Sequence, residues 1–232
     1  MNAPPSNPEL VEARREARDE ATVFVGVALA LLVLLAAVSL RADWELLGLR
    51  GWVWLILCIP EALLIGGLVV SSRVSDHQRG HRQLWFFLSA VVVGNLAGLF
   101  VLVAALLTED SADLSGAQLL VSGAVVWLTN LVVFGLTFWM LDGGGPVERA
   151  TSGRATPDFL FPQDATPERA PSGWYPRLED YVYVALTNGI AFSPTDVMPL
   201  TRRAKASMAM DSIVSVAVVL LVAARAVNVL GG

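Results

Sequence analysis

Long apolar runs constrain this chain of 232 residues more than any other feature. An α-helix crosses the roughly 30 Å hydrocarbon core of a bilayer with about 20 consecutive apolar residues. Four segments meet that length: residues 22–40, 84–107, 119–141 and 206–230. A fifth apolar segment, residues 51–70, carries Pro60 and Glu61 near its middle. The sequence therefore predicts an all-α fold, a polytopic membrane bundle of five transmembrane helices.

Composition excludes several classes of function. Hydrophobic residues make up 55% of the chain and charged residues 16%, whereas soluble domains are about 25% charged. The net charge of −5 argues against nucleic acid as a partner, because phosphate binding needs a basic surface. The single cysteine, Cys58, cannot form an internal disulfide, and no Cys/His cluster predicts a metal or another cofactor. No nucleophile–base pair and no phosphate-binding glycine loop predicts an enzyme.

Charge and proline content divide the chain into four regions. Residues 1–21 form a charged N-terminal segment, and residues 22–141 hold the first four predicted transmembrane helices. The run Gly143–Pro146 predicts the end of the fourth helix, because neither glycine nor proline extends a helix. Residues 142–177 are rich in Pro and Gly and have no helical period, which predicts an irregular connector. The aromatic residues of this connector would be unfavourable in water, so we expect them to dock against the bundle or at lipid headgroups. Residues 178–230 hold a short apolar hairpin and the last transmembrane helix.

Loop charges predict the orientation of the bundle. The turn at residues 71–83 contains three arginines, whereas the turn at residues 108–118 contains three acidic residues and no Lys or Arg. Positively charged loops tend to stay in the cytoplasm. We therefore expect the N-terminus, the arginine-bearing turn and the connector to be cytoplasmic.

Three polar side chains fall near the middle of predicted transmembrane helices: Glu61, Asn95 and Asn130. A charge at the bilayer centre costs at least about 2.5 kcal/mol, so Glu61 should face the bundle interior or be protonated. One interpretation is a proton or cation site built from the three residues. The other is a set of interhelical hydrogen bonds that fix packing, each contributing about 0.6–2 kcal/mol.

The last predicted helix carries Asp211 and Arg225 on one stripe, with valines between them. The two charged residues are about 21 Å apart along the helix axis, so they cannot pair with each other. The stripe is compatible with a pore that has a hydrophobic constriction. It is equally compatible with a packed flank from which Arg225 extends to the membrane surface.

A short apolar run precedes the last helix. Residues 181–192 are too few to span a membrane and too hydrophobic for a free loop, which predicts a re-entrant or interfacial half-helix. Glu179 and Asp180 favour a helix N-terminus here, through the helix dipole. Asn188-Gly189 predicts the C-terminal end of this half-helix. Residues 193–196, Ser-Pro-Thr-Asp, match a capping box with Pro at the first helical position. We therefore expect the Ser193 hydroxyl to cap a helical turn.

The order of half-helix, turn and span resembles the pore domain of potassium channels. Asp196 and Pro199 match the Asp-x-x-Pro exit of that family's filter. More closely, residues 119–230 resemble a family of uncharacterised bacterial integral membrane proteins with the same C-terminal segment. The resemblance implies a pore-loop site formed by Thr187, Asn188, Gly189, Ser193, Pro194, Thr195, Asp196 and Pro199. It also implies a location in the bacterial inner membrane.

The filter of this chain departs from the potassium-channel pattern. Ser193 and Thr195 replace filter glycines, and Pro194 replaces the tyrosine between them. Glycine permits the backbone conformation that directs carbonyls at an ion, whereas proline fixes φ near −65°. The resemblance therefore implies a channel without potassium selectivity.

Three functions remain open at this point. The first is a pore-loop ion channel that assembles as a homo-oligomer in the lipid bilayer and passes small inorganic ions. The second is a non-conducting membrane scaffold or accessory protein that uses the same polar groups for packing. The third is a proton-coupled transporter centred on Glu61.

Overall fold

A computed structural model describes the greater part of the chain. The described residues are 8–43, 52–71, 89, 92–94, 96–100, 103–104, 116–146, 148–149, 156–193 and 196–231. Their α-helices include α1 (Pro8–Arg41), α2 (Trp52–Ser71), α3 (Gly116–Leu141), α4 (Pro162–Ala165), α5 (Leu178–Ala191) and α6 (Arg202–Gly231), and a 3-10 helix, Asp142–Gly144, follows α3. Two short strands, β1 (Phe159–Leu160) and β2 (Met198–Pro199), pair antiparallel. The predicted helical class is confirmed.

Three helical segments of the described chain are long and apolar enough to cross a membrane: Thr22–Arg41, Leu120–Gly144 and Arg202–Ala224. In the most apolar stretch of the second segment 72% of the residues are buried, whereas the share is 33% in the first and in the third. Of the three segments, the one on α3 is therefore the most buried. Helix α2 has 20 residues, and most of the predicted span at residues 84–107 lies outside the described residues. Five transmembrane helices thus remain a prediction.

The chain divides into two compact units. One unit comprises Phe24–Val133 and Ile213–Gly232. Its core holds apolar side chains from four helices: Leu32, Leu35, Ala36, Trp54, Cys58, Val125, Val126, Val218 and Val222. At Gly123, an added Cβ would lie 2.5 Å from Val222 Cγ2. Glycine at position 123 therefore lets α3 and α6 approach closely, which is typical of packing in membranes.

Large apolar side chains also lie on the outside of this unit. Val27 and Leu34 on α1 are 47% and 58% exposed, and Leu55 and Ile59 on α2 are 46% and 52% exposed. Extensive exposed apolar surface is unfavourable in water. Lipid acyl chains are the surroundings that suit these faces.

The other unit comprises Met1–Val23 and Phe134–Ser212. A chain of aromatic contacts forms its core: Phe138 lies 5.3 Å from Phe159, and Phe161 lies 5.3 Å from Tyr181, between ring centroids. Phe159, Phe161 and Tyr181 are at most 4% exposed. The predicted docking of the connector's aromatic residues is confirmed for Phe159 and Phe161.

Candidate functional site

Asp142 is the centre of a buried polar cluster in the unit of residues 1–23 and 134–212. It follows α3 directly and has no exposed surface. Its Oδ1 accepts hydrogen bonds from the backbone N–H groups of Asp158, at 2.6 Å, and Phe159, at 3.1 Å. Its Oδ2 accepts from the Tyr181 hydroxyl at 2.5 Å. One carboxylate thus joins the end of α3 to the connector and to α5.

Three glycines make this arrangement possible. Gly143, Gly144 and Gly145 have φ angles of 56°, 84° and 100°, a region that residues with a Cβ rarely adopt. The chain turns sharply here, and the Gly143 N–H donates to Asp158 Oδ2 at 3.1 Å. The glycine run therefore ends α3 and also presents a backbone donor to the cluster.

Asp158 is the second buried carboxylate. It accepts from the Thr201 hydroxyl at 2.5 Å and from Arg203 Nε and Nη2 at 2.7 and 2.6 Å. Burial alone would raise the pKa of Asp158. The hydrogen bonds from Arg203, Thr201 and Gly143, together with the charge of Arg203, outweigh burial and hold the pKa of this carboxyl below its ordinary value.

Arg149 completes the cluster. Its Nη1 donates to the carbonyl oxygens of Trp139 and Asp142, both at 2.6 Å. Its guanidinium lies 5.1 Å from the centre of the Tyr181 ring. Carbonyl groups at the C-terminal end of a helix lack intrahelical partners, so a buried arginine that binds two of them stabilises the end of α3. We call Asp142, Arg149, Asp158, Tyr181 and Arg203 the Asp142 cluster.

The Asp142 cluster has the chemistry of a structural site, whose hydrogen bonds hold parts of the chain together. Both carboxylates are engaged by backbone N–H, hydroxyl or guanidinium donors. Among the residues that the structure describes, no group of three His, Cys, Asp or Glu side chains could hold a metal ion. The cluster holds four separate parts of the chain together: the end of α3, the β1 region, helix α5 and the start of α6.

Acidic residues stabilise the start of α5. Asp180 Oδ2 accepts from the backbone N–H of Arg177 at 2.8 Å. Glu20, on α1, accepts from the backbone N–H of Leu178 at 3.1 Å through Oε2. Carboxylates are favourable at a helix N-terminus because unpaired N–H groups and the helix dipole lie there. The Asp180 contact closes the first turn of α5, and the Glu20 contact joins the beginning of α5 to α1.

Helix α5 places three predicted pore-loop residues in a packed helix. The Thr187 hydroxyl donates to the carbonyl groups of Tyr183 and Val184, at 3.0 and 3.2 Å. Asn188 and Gly189 are buried within the helix. The predicted helix end at Asn188-Gly189 is wrong: α5 continues to Ala191, and Phe192 adopts the left-handed conformation with φ 55°. Packing of both residues against the protein favours continuation of the helix.

The predicted cap runs through two residues outside the described chain, so the capping role of Ser193 stays a prediction. The Ser193 hydroxyl donates to the Ala191 carbonyl at 3.3 Å, and the next long helix begins at Arg202. Asp196 is exposed in a bend, and Pro199 pairs with Phe159 in the strand pair. Strand β2, Met198–Pro199, lies between this segment and the start of α6. Pro194 and Thr195 lie outside the described residues.

Two of the five predicted intramembrane polar side chains, Asp211 and Asn130, belong to the described part of the chain. Asp211 is buried and accepts from Asn188 Nδ2 at 2.9 Å, while the same amide nitrogen contacts the Met208 carbonyl at 2.9 Å. Asn130 is 2% exposed, and its Nδ2 has no hydrogen-bond partner among the described residues. Asn95 and the side chains of Glu61 and Arg225 lie outside the described residues.

The stripe on α6 is a packed face over its described part. Asp211, Ser215, Val218 and Val222 are all at most 8% exposed. The structure therefore favours the packed-flank interpretation of this stripe. Sequence reasoning found Asp211 and Asn188 separately, but it did not find that they pair.

The Asp142 cluster was not predicted from the sequence. Its members are separated by up to 61 residues, from Asp142 to Arg203, and no spacing rule links them. The one available signal was the glycine run after Asp142, which predicted the end of a helix and nothing about a buried carboxylate.

The lowered pKa of Asp158 predicts that the protein loses stability in acid. A carboxyl whose pKa is lower in the folded state stabilises the protein above its unfolded pKa, and this stabilisation is lost as pH falls through the folded pKa. We expect the melting temperature of the detergent-solubilised protein to fall as pH is lowered below about 4. Asp158→Asn should melt at a lower temperature than wild type near neutral pH, and the difference between the two melting temperatures should shrink in acid. A constant difference across this range would contradict the prediction.

Comparison with known proteins gives one match. No curated protein and no solved structure matches the chain. The family model NrsF, negative regulator of sigma F, matches residues 6–157, more than half of the chain. This match overturns the resemblance to the potassium-channel pore and to the bacterial family linked with it. It also makes the interpretations as an ion channel and as an ion transporter wrong, and it favours the non-conducting accessory protein. The chain belongs to the NrsF family of negative regulators of sigma F.

Proposed function

We propose that this chain is a membrane-embedded negative regulator that binds a sigma factor at the cytoplasmic surface of the bacterial inner membrane. The observation that carries the proposal is the family match, which begins at residue 6 and includes the charged start of α1. A sigma factor acts in the cytoplasm, which agrees with the orientation predicted from loop charges. The partner is therefore a protein, and neither a nucleic acid nor an ion is required.

The N-terminal part of α1 is the segment we assign to sigma-factor contact. Helix α1 begins at Pro8, and its candidate span begins at Thr22. The 14 residues between them extend the helix by about 21 Å beyond the apolar segment. Arg15 and Asp19 on this extension are 77% and 61% exposed and lie 3.9 Å apart. Such a surface pair contributes little to stability, so replacing it by a contact with a partner protein would cost little.

The remaining membrane features are part of the same proposal. We propose five transmembrane helices, with residues 51–70 and 84–107 as the additional spans, and a cytoplasmic N-terminus. We propose that α5 is a half-helix and that α6 is the last transmembrane helix. Assembly as a homo-oligomer stays a prediction. The non-enzymatic character inferred from the sequence also stays a prediction.

A reporter experiment tests the regulatory function. The full chain is co-expressed with sigma F in a heterologous bacterium that carries a sigma F-dependent promoter. We expect lower reporter output than without the chain, and we expect sigma F to sediment with the membranes. Unchanged reporter output together with soluble sigma F would overturn the proposal.

A charge reversal tests the assigned contact segment. Arg15→Glu should weaken repression and reduce the amount of sigma F in the membrane fraction. Arg169→Glu is the matched control, because Arg169 is also exposed but lies in the connector. Equal effects of the two variants would show that α1 is not the contact segment.

A further inference from the structure

The outer face of α5 is apolar, and the described part of the chain leaves it exposed. Tyr183 and Ile190 lie on this face seven residues apart and are 51% and 59% exposed. The opposite face is buried by Leu178, Tyr181 and Ala185, each with no exposed surface. We define the outer face of α5 by Tyr183, Thr187 and Ile190. The residues that the structure describes therefore pack against one side of α5, and its other, apolar side needs an occupant.

The contacts of α5 place its start at the boundary of the predicted membrane region. The Leu178 N–H bonds to Glu20, two residues before the candidate span that begins at Thr22. The Tyr181 hydroxyl bonds to Asp142, close to the end of the candidate span that finishes at Gly144. Two separate spans thus put the first turn of α5 at the same boundary.

The later contacts of α5 lie deeper. Asn188 bonds to the Met208 carbonyl and to Asp211. These residues are six and nine positions after Arg202, where the third candidate span begins. At 1.5 Å per residue they lie about 9–14 Å along that helix. The helix therefore descends from the boundary toward the interior of the leaflet.

The chemistry of the segment fits that path. No charged side chain occurs between Asp180 and Asp196. Thr187 is the polar member of the outer face, and its hydroxyl already donates to two backbone carbonyl groups. A hydroxyl bonded in this way does not require water. The return segment adds exposed apolar side chains, with Phe192 at 44% and Met198 at 62%.

We propose that α5 enters the bilayer from the side on which Thr22 and Arg202 lie, and that its outer face contacts lipid acyl chains. The hairpin then returns through β2 to the Asp142 cluster at the membrane surface. This inference concerns a lipid-contact surface, and it does not depend on the proposed regulation of a sigma factor.

Depth measurements on spin-labelled protein test the inference. Cys58 is replaced by Ser, and a nitroxide is attached to cysteine at Glu179, Tyr183 or Ile190 of the full chain in phosphatidylethanolamine–phosphatidylglycerol vesicles. These three positions are exposed on one side of α5 and span about 16 Å along it. For each label, accessibility to oxygen, which concentrates in hydrocarbon, is compared with accessibility to a nickel chelate, which stays in water.

We expect the ratio of oxygen to nickel-chelate accessibility to increase from position 179 through 183 to 190. A label at Glu168, which is exposed in the connector, is the control and should remain accessible to the nickel chelate. Chelate accessibility at position 190 equal to that at position 168 would overturn the proposal in favour of a water-exposed face. Equal depth at all three positions would contradict the proposal that α5 enters the bilayer. Dipolar broadening that disappears on dilution with unlabelled protein would assign the face to a second copy of the chain.

Discussion

Replacing Asp142 by Ala should destabilise the protein by at least about 3 kcal/mol, the largest effect expected of any single substitution considered. The change removes the acceptor for the backbone N–H groups of Asp158 and Phe159 and for the Tyr181 hydroxyl. Each buried donor left unpaired costs about 1–3 kcal/mol. Since whole domains are stable by only about 5–15 kcal/mol, the connector should lose its ordered attachment to α3.

Thermal unfolding in detergent and limited proteolysis of the connector measure this effect. Asp142→Asn keeps the shape and one acceptor oxygen, so its loss of stability should be smaller. Glu168→Ala is the matched control, because Glu168 is exposed in the connector, and surface substitutions usually stay within about 0.5 kcal/mol. If Asp142→Ala unfolds at the wild-type temperature and is cut no faster, the cluster does not hold the connector.

Gly135→Ala should destabilise the contact between α3 and α5 by about 1–3 kcal/mol, the usual cost of overpacking. A Cβ at position 135 would lie 2.6 Å from Val182 Cγ2 and 2.9 Å from Val182 Cα. The side-chain contact can move, whereas the contact with Cα requires the two backbones to separate. For this reason Val182→Ala should restore only part of the stability lost in Gly135→Ala.

Gly26→Ala is the matched control for this prediction. Position 26 is also helical, and an added Cβ there meets nothing within 4 Å. Alanine is favoured over glycine in a helix by about 0.5–1 kcal/mol, so this variant should be slightly more stable than wild type. Equal melting temperatures for Gly135→Ala and Gly26→Ala would mean that α3 and α5 are not in close contact at Val182.

The resemblance to a channel pore failed for a physical reason. A short helix, an acidic residue, a proline and then a long apolar helix form a pattern that any re-entrant or interfacial hairpin can satisfy. In the structure Pro199 belongs to a strand paired with Phe159, and Asn188 bonds to Asp211. Local order along the chain therefore indicated a hairpin, but it did not indicate the function of that hairpin.

The sequence by itself determined the features that depend on local composition and periodicity. Apolar length predicted the helices that contain the three candidate spans, and the glycine run after Asp142 predicted the end of α3. Acidic residues predicted the N-terminal side of α5, where Asp180 accepts a backbone hydrogen bond. Each of these features is decided within a few residues, because helix formation and helix ends depend on neighbouring backbone groups.

Only the tertiary structure decided how distant polar residues are paired. Asp142 meets Tyr181, Asp158 meets Arg203, and Asn188 meets Asp211 across separations of 39, 45 and 23 residues. A buried polar group must find a partner, but its position in the sequence does not say which partner packing will bring to it. The same packing moved the end of α5 from Gly189 to Ala191, since burial of Gly189 against the protein outweighed its local preference to end a helix.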